Sequence, residues 1–108
     1  MPEWLCLLRP ERIAMVAEGP TEEEADAVER HFAYLVRLAQ SGSVRLAGRT
    51  TTEDEHVFGI VVFEAPSEAD ARAQVDADPA IAEGVMSAEV FPFHVAVERP
   101  ATPRQPGP

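Results

Sequence analysis

Val57-Phe58-Gly59-Ile60-Val61-Val62-Phe63 is apolar at both of its alternating sets of positions. Val57, Gly59, Val61 and Phe63 fall on one face of an extended chain, and Phe58, Ile60 and Val62 fall on the other. A strand of this composition is covered on both sides and belongs in the middle of a sheet. Glu3 to Leu8 has the same character (Trp4, Leu5, Cys6, Leu7, Leu8) and is stopped by Arg9-Pro10. Its shortness and its proline stop favour a strand, although periodicity alone also fits a buried helix.

Between these two runs, after a loop through Gly19-Pro20, lies Thr21 followed by Glu22, Glu23 and Glu24. This is a capping box, in which the threonine hydroxyl meets the third helical amide and Glu24 reaches back. Three acids in the first turn also suit the positive end of the helix dipole. Val28, Phe32, Leu35 and Ala39 form the expected inward stripe, and Gly42 the stop. Ser43 to Gly48 alternates Val44 and Leu46 with Arg45, as a half-exposed edge strand does.

Beyond the third strand, Pro66-Ser67 with Asp70 opens an alanine-rich helix (Ala69, Ala71, Ala73) that runs toward Asp76. Asp78-Pro79 interrupts it, since the residue before proline avoids helical angles and proline suits the first position of a new turn. Val85 to Val97 reads as a last strand bent at Pro92. The order strand, helix, strand, strand, helix, strand is α+β, a ferredoxin-like βαββαβ unit with a four-stranded antiparallel sheet. That topology puts the first and third strands in the centre, and they are the two that are apolar on both faces. Two helices cover one face only, so the other predicts a homodimer stacked through the sheet face.

The 108 residues make one domain, expected over 1–98, with a Pro-rich disordered tail at 99–108 that holds four of the ten prolines. Nine arginines, no lysine and nineteen acids give a net charge of -10. Such a surface repels phosphate backbones and anionic lipid, so neither nucleic acid nor membrane is an expected partner. Without lysine there is no side-chain Schiff base and no P-loop. No run approaches the roughly 18 apolar residues of a membrane span, and no basic flank suggests a signal peptide, so the expected location is cytoplasmic.

His31-Phe32-Ala33-Tyr34-Leu35, following the Thr21 to Glu24 box and followed by Gly42, Gly48, Asp78-Pro79, Gly84 and Pro92-Phe93, resembles the YCII-related family of dimeric α+β barrel proteins. The resemblance runs from about Trp4 to Val97. It implies a ferredoxin-like protomer, a barrel-like dimer and an active site of one histidine and one aspartate, which map onto His31 and Asp78. One departure alters the edge of that site: Gly48-Arg49 stands where relatives often have Gly-Pro.

Read residue by residue, His31 lies on or beside the buried helix stripe, three after Val28 and four before Leu35. There an imidazole can exchange protons near neutral pH, and a carboxylate at its other ring nitrogen would fix the tautomer. The plain alternative makes His31 a hydrogen-bonded core residue and Asp78 an N-cap for the turn at Pro79. Arg9 at the end of the first strand, Tyr34 one turn after His31, and Gly59 with its missing side chain are candidate substrate-binding residues. His56, His94 and Cys6 show no metal-ligand spacing, and neither a nucleophile elbow nor a dinucleotide fingerprint is present, so no metal or cofactor is expected. The combined expectation is a small cofactor-independent enzyme using a His-Asp pair for elimination or isomerisation of a small polar or aromatic metabolite. The alternative is a non-catalytic dimeric protein that binds a small ligand.

Overall fold

The computed structural model describes residues 1–100. The elements are β1 (Glu3–Pro10), α1 (Ala14–Ala17), α2 (Glu22–Gln40), β2 (Val44–Arg49), β3 (Gly59–Glu64), α3 (Glu68–Asp76), α4 (Pro79–Ala82) and β4 (Met86–Phe93). All strand pairs are antiparallel, in the order β2-β3-β1-β4. β1 and β3 are therefore central, and the fold is the α+β arrangement expected. Most of the expected tail, residues 101–108, lies outside the described residues.

One layer of helices covers one face of the sheet. Trp4, Cys6 and Leu8 of β1 alternate toward it and meet Val44, Val61, Phe63, Ala65 and Ala71 in a single buried cluster. Partly buried Leu35 and Leu38 of α2 and Val75 of α3 pack against that cluster from above. The Trp4 indole, too large to bury without a partner, donates to the Ala65 carbonyl at 3.0 Å. On the opposite face Leu5, Leu7 and Ile60 are only half-buried, and Leu46, Phe91 and Phe93 are exposed. The two central strands are thus covered on both sides only in part within one chain, although Val62 is buried.

Local signals set the helix ends. Glu24 N donates to Thr21 Oγ1 at 3.1 Å while Thr21 N donates to Glu24 Oε1 at 2.8 Å, the reciprocal capping box. Gly42 takes φ +90° just past α2, and the Gly42 and Ser43 amides donate to Ala39 and Leu38 carbonyls. Ser67 caps α3 through the Asp70 amide, and Asp78 caps α4, with Pro79 at its first position.

Four expectations are corrected. The buried face of α2 is not Val28, Phe32, Leu35 and Ala39: Ala27 and His31 are buried, whereas Phe32 is 56% exposed. The apolar stripe is turned toward a cavity, so small Ala27 and polar His31 make the close approach. In β2 the alternation of Val44 and Leu46 fails because a bulge separates them, leaving Val44 buried and Leu46 half exposed to solvent. β1 runs through Arg9 and Pro10, which pair with Ser87 and Met86, and β4 ends at Phe93 rather than Val97. Finally, the segment before Gly19 forms the short turn α1, which carries no capping signal. Beyond β4 the Glu98 carboxylate reaches Arg45 on the opposite edge strand, where Arg45 also holds Glu3. The intervening residues therefore cross back over the end of the sheet.

Candidate active site

Two features of local sequence bring His31 and Asp78 together. The capping box fixes where α2 begins, and so which face presents position 31. The Asp78-Pro79 break fixes Asp78 in extended conformation (φ -65°, ψ 126°) at the head of α4, which packs against α2. The result is a 2.6 Å contact between His31 Nδ1 and Asp78 Oδ2. Both residues are buried, at 5% and 4% exposure. Asp78 Oδ1 accepts from the Ala80 amide at 2.9 Å, so one carboxylate caps a helix and holds an imidazole. The cap and the pair coexist, as the two oxygens of one carboxylate allow.

The contact favours one tautomer of the ring. With the carboxylate ionised and the ring neutral, Nδ1 donates to Oδ2 and the lone pair is left on Nε2. Among the described residues every buried side-chain nitrogen and oxygen has a partner, and none of those residues bonds Nε2. Nε2 therefore keeps accessible surface, and His31 lines a cavity of about 740 Å³. Asp78 does not line that cavity but sits behind the imidazole. Val28, Phe32 and Leu35 of α2 face Val57 and Phe58 across it, and Arg9, Arg49 and Glu53 supply its charged groups.

Gly59 lies on the cavity floor between Leu8 and Arg49, its register partners on the two neighbouring strands. A β-carbon there would sit 3.6 Å from Leu8 Cβ, 3.7 Å from Arg49 Cβ and 3.3 Å from the Gly48 carbonyl oxygen. The missing side chain thus lets the β2 backbone approach closely, with the Gly48 carbonyl where a β-carbon would crowd it. Arg9 is exposed, with its guanidinium 5.8 Å from the Phe58 ring centroid. Tyr34 is placed elsewhere: its hydroxyl donates to the Gln74 carbonyl at 2.6 Å, tying α2 to α3 outside the large cavity.

Cys6 lies in the core, and its thiol is pushed up to about 12, first by burial and then by the negative charge of Asp78. It is an inert packing residue at neutral pH. His56 is exposed beside Asp54 and Glu55, where one ligand atom from each falls within 4.8 Å of the others, and His94 is also exposed. Sequence reasoning missed that cluster and missed Met15 and Val16 of α1 as cavity walls. Arg49 was visible only as an unusual residue after Gly48.

One comparison is decisive: a family model, the YCII-related domain, matches residues 3–94. The chain belongs to the YCII-related family. No curated protein matches it. Among solved structures, this YCII-related chain is similar to the 5-chloro-2-hydroxyhydroquinone dehydrochlorinase TftG from Burkholderia phenoliruptrix AC1100, in complex with 2,5-dihydroxybenzoquinone. The TM-score is 0.61 at 19% identity, covering 84% of this chain and 93% of that one. At that identity the likeness establishes a shared fold. Among the described residues no helix is long and apolar enough to cross a membrane.

Proposed function

We propose that this YCII-related protein is a small enzyme catalysing an elimination or isomerisation on a small polar or aromatic metabolite, with His31 as the acid-base group and Asp78 as its positioning residue. The observation that carries the reading is the 2.6 Å contact at Nδ1 in a histidine that lines the cavity and whose Nε2 has no partner among the described residues. Nε2 takes a proton from a substrate carbon, and the C–H electron pair becomes a π bond. In an elimination the leaving group departs with its own electron pair, and in an isomerisation the imidazolium returns the proton to another atom. Asp78 stabilises the transient imidazolium and keeps the ring in the reactive tautomer. Neither step needs a redox centre or a covalent nucleophile, so the reading is cofactor-independent. TftG, a dehydrochlorinase, supports an elimination by analogy of fold.

The apolar open face of the sheet supports a homodimer as the assembled form, since Leu5, Leu7, Ile60 and Phe91 offer a contiguous surface to a second copy.

The test incubates the protein in deuterated water with a panel of halogenated hydroxyhydroquinones and β-substituted carbonyl acids, following halide release and deuterium incorporation by NMR. At least one member should turn over, and His31→Gln should slow it by about a hundredfold to ten-thousandfold. An unchanged rate in His31→Gln would overturn the proposal. Binding without turnover of any member would leave a ligand-binding protein instead.

A further inference from the structure

Taking a proton from carbon leaves negative charge behind. An imidazole, with an ordinary pKa of about 6.5, is too weak a base for that step unless the charge is stabilised where it develops. When the carbon lies next to a carbonyl, the charge arrives on the carbonyl oxygen. A site built on His31 therefore calls for a cation or a fixed hydrogen-bond donor on the same cavity. Among the described residues, the permanently charged ones bordering that cavity are Arg9, Arg49 and Glu53. Glu53 is an anion and can only oppose such a charge.

Strand alternation separates the two arginines. Arg9 follows Leu8, whose side chain is buried in the helix-covered core, so Arg9 leaves β1 on the other face, with its guanidinium 5.8 Å from the Phe58 ring centroid. Arg49 pairs with Gly59, which pairs on its other side with Leu8. A β-carbon at Gly59 would lie 3.6 Å from Leu8 Cβ and 3.7 Å from Arg49 Cβ, so Arg49 shares the face of Leu8, which α2 covers. The connection between α2 and β2 sets its level. The Ser43 amide donates to the Leu38 carbonyl, so β2 starts beside the end of α2 and runs back along it. From Ser43 to Arg49 the chain spans at most roughly 20 Å, the rise of about thirteen helical residues. Arg49 is thereby brought level with the first half of α2, where Val28 and His31 line the same cavity.

We propose that Arg49 is the oxyanion-stabilising residue of the site, and that the substrate is a carbonyl compound that loses a proton from the carbon next to its carbonyl. Nε2 of His31 takes the proton, the C–H pair forms a carbon–carbon π bond, and the carbonyl π pair moves onto oxygen, where the guanidinium meets it with charge-assisted N–H donors. When the pair returns from oxygen, the carbon–carbon π pair has two outlets. In an elimination it forms a π bond to the β-carbon, which expels the leaving group with its bonding electrons. In an isomerisation it takes the imidazolium proton at a different carbon. Arg49 holds the charge in both cases and moves no proton, since its guanidinium stays protonated at every working pH. Phe32, Leu35 and Val57 make the walls around it apolar, which strengthens the attraction. The inference rests on the acid-base reading of His31 and narrows its substrate class.

4-Nitrophenol, an oxygen acid whose charge state is read from its absorbance, tests the donor without any turnover. Titrated across pH with the full chain, its phenolate should bind at least about tenfold more tightly than its phenol, the worth of a charge-assisted hydrogen bond, so its ionisation moves to lower pH on binding. Arg49→Gln should bring the two forms to nearly equal affinity, and Arg49→Lys should keep part of the preference. His31→Gln should leave the preference in place, which separates failure of the oxyanion donor from failure of the proton-transfer reading. With a substrate that turns over, Arg49→Gln should lower kcat by about a hundredfold or more and leave KM within about threefold. Equal binding of phenol and phenolate to the native chain, no binding of either, a preference that survives in Arg49→Gln, or a loss of activity confined to KM would overturn the proposal.

Discussion

Asp78 and His31, 47 residues apart in sequence, meet through a carboxylate that serves two partners at once: Oδ2 at His31 Nδ1, Oδ1 at the Ala80 amide. The start of α4 and the orientation of the imidazole are therefore set by the same group. Changing that group acts on stability and on proton chemistry in separable ways. Asp78→Ala removes a helix cap and leaves a buried ring N–H unpaired, an expected loss of about 2 to 4 kcal/mol in urea unfolding. Asp78→Asn keeps a capping oxygen and most of that stability, but it removes the charge that holds the proton on Nδ1. Ring nitrogen NMR should then show a mixture of tautomers, with turnover down about a hundredfold or more.

Glu24 gives a pH prediction with a definite sign. The Arg12 guanidinium, then the Thr21 amide, hold its carboxyl down at about 2, from an ordinary 4.5. A carboxylate with a lowered folded-state value contributes stability that is complete above the ordinary value and is lost as pH falls toward 2. Thermal midpoints of the native chain and Glu24→Gln should therefore differ at neutral pH and converge across that interval. Parallel curves would remove the Arg12 pairing from the account of α2 stability.

Cys6 should be silent toward thiol reagents while the protein is folded. Its thiol, raised to about 12 by burial and by Asp78, is protonated at neutral pH and sealed in the core. Labelling by a maleimide should follow the unfolding curve in denaturant. Rapid modification of native protein would contradict the packing around β1.

Gly59→Ala brings a β-carbon to 3.3 Å from the Gly48 carbonyl of the neighbouring strand, tighter than ordinary contact, so it should destabilise the β2–β3 pair by about 1 kcal/mol or more in urea unfolding. Gly59→Leu, whose longer side chain must also displace Leu8 or Arg49, should cost more than Gly59→Ala in the same measurement.

Light scattering should report a dimer, and Leu7→Arg, which places a charge in the open face of the central strand, should yield a folded monomer. A native monomer would leave that apolar face without the partner proposed for it.

What could be read along the chain was whatever neighbouring residues settle among themselves. The Thr21-Glu24 box, the Gly42 stop and the Asp78-Pro79 break are interactions within four residues, so side-chain chemistry alone fixes the elements and their order. Doubly apolar β1 and β3 then choose the centre of the sheet by burial. The resemblance, more than spacing, singled out His31 and Asp78 together. Only packing in three dimensions decided the rotation of α2, which turns Phe32 to the cavity and His31 to the core, and the β2 bulge that exposes Leu46. Those outcomes depend on how α2, α4 and the strands fill a common volume, and no local pattern carries that information. The pairing of Nδ1 with a distant carboxylate, and the place of His31 on a cavity wall, belong to the same class: relations between residues that meet only after the chain has closed on itself.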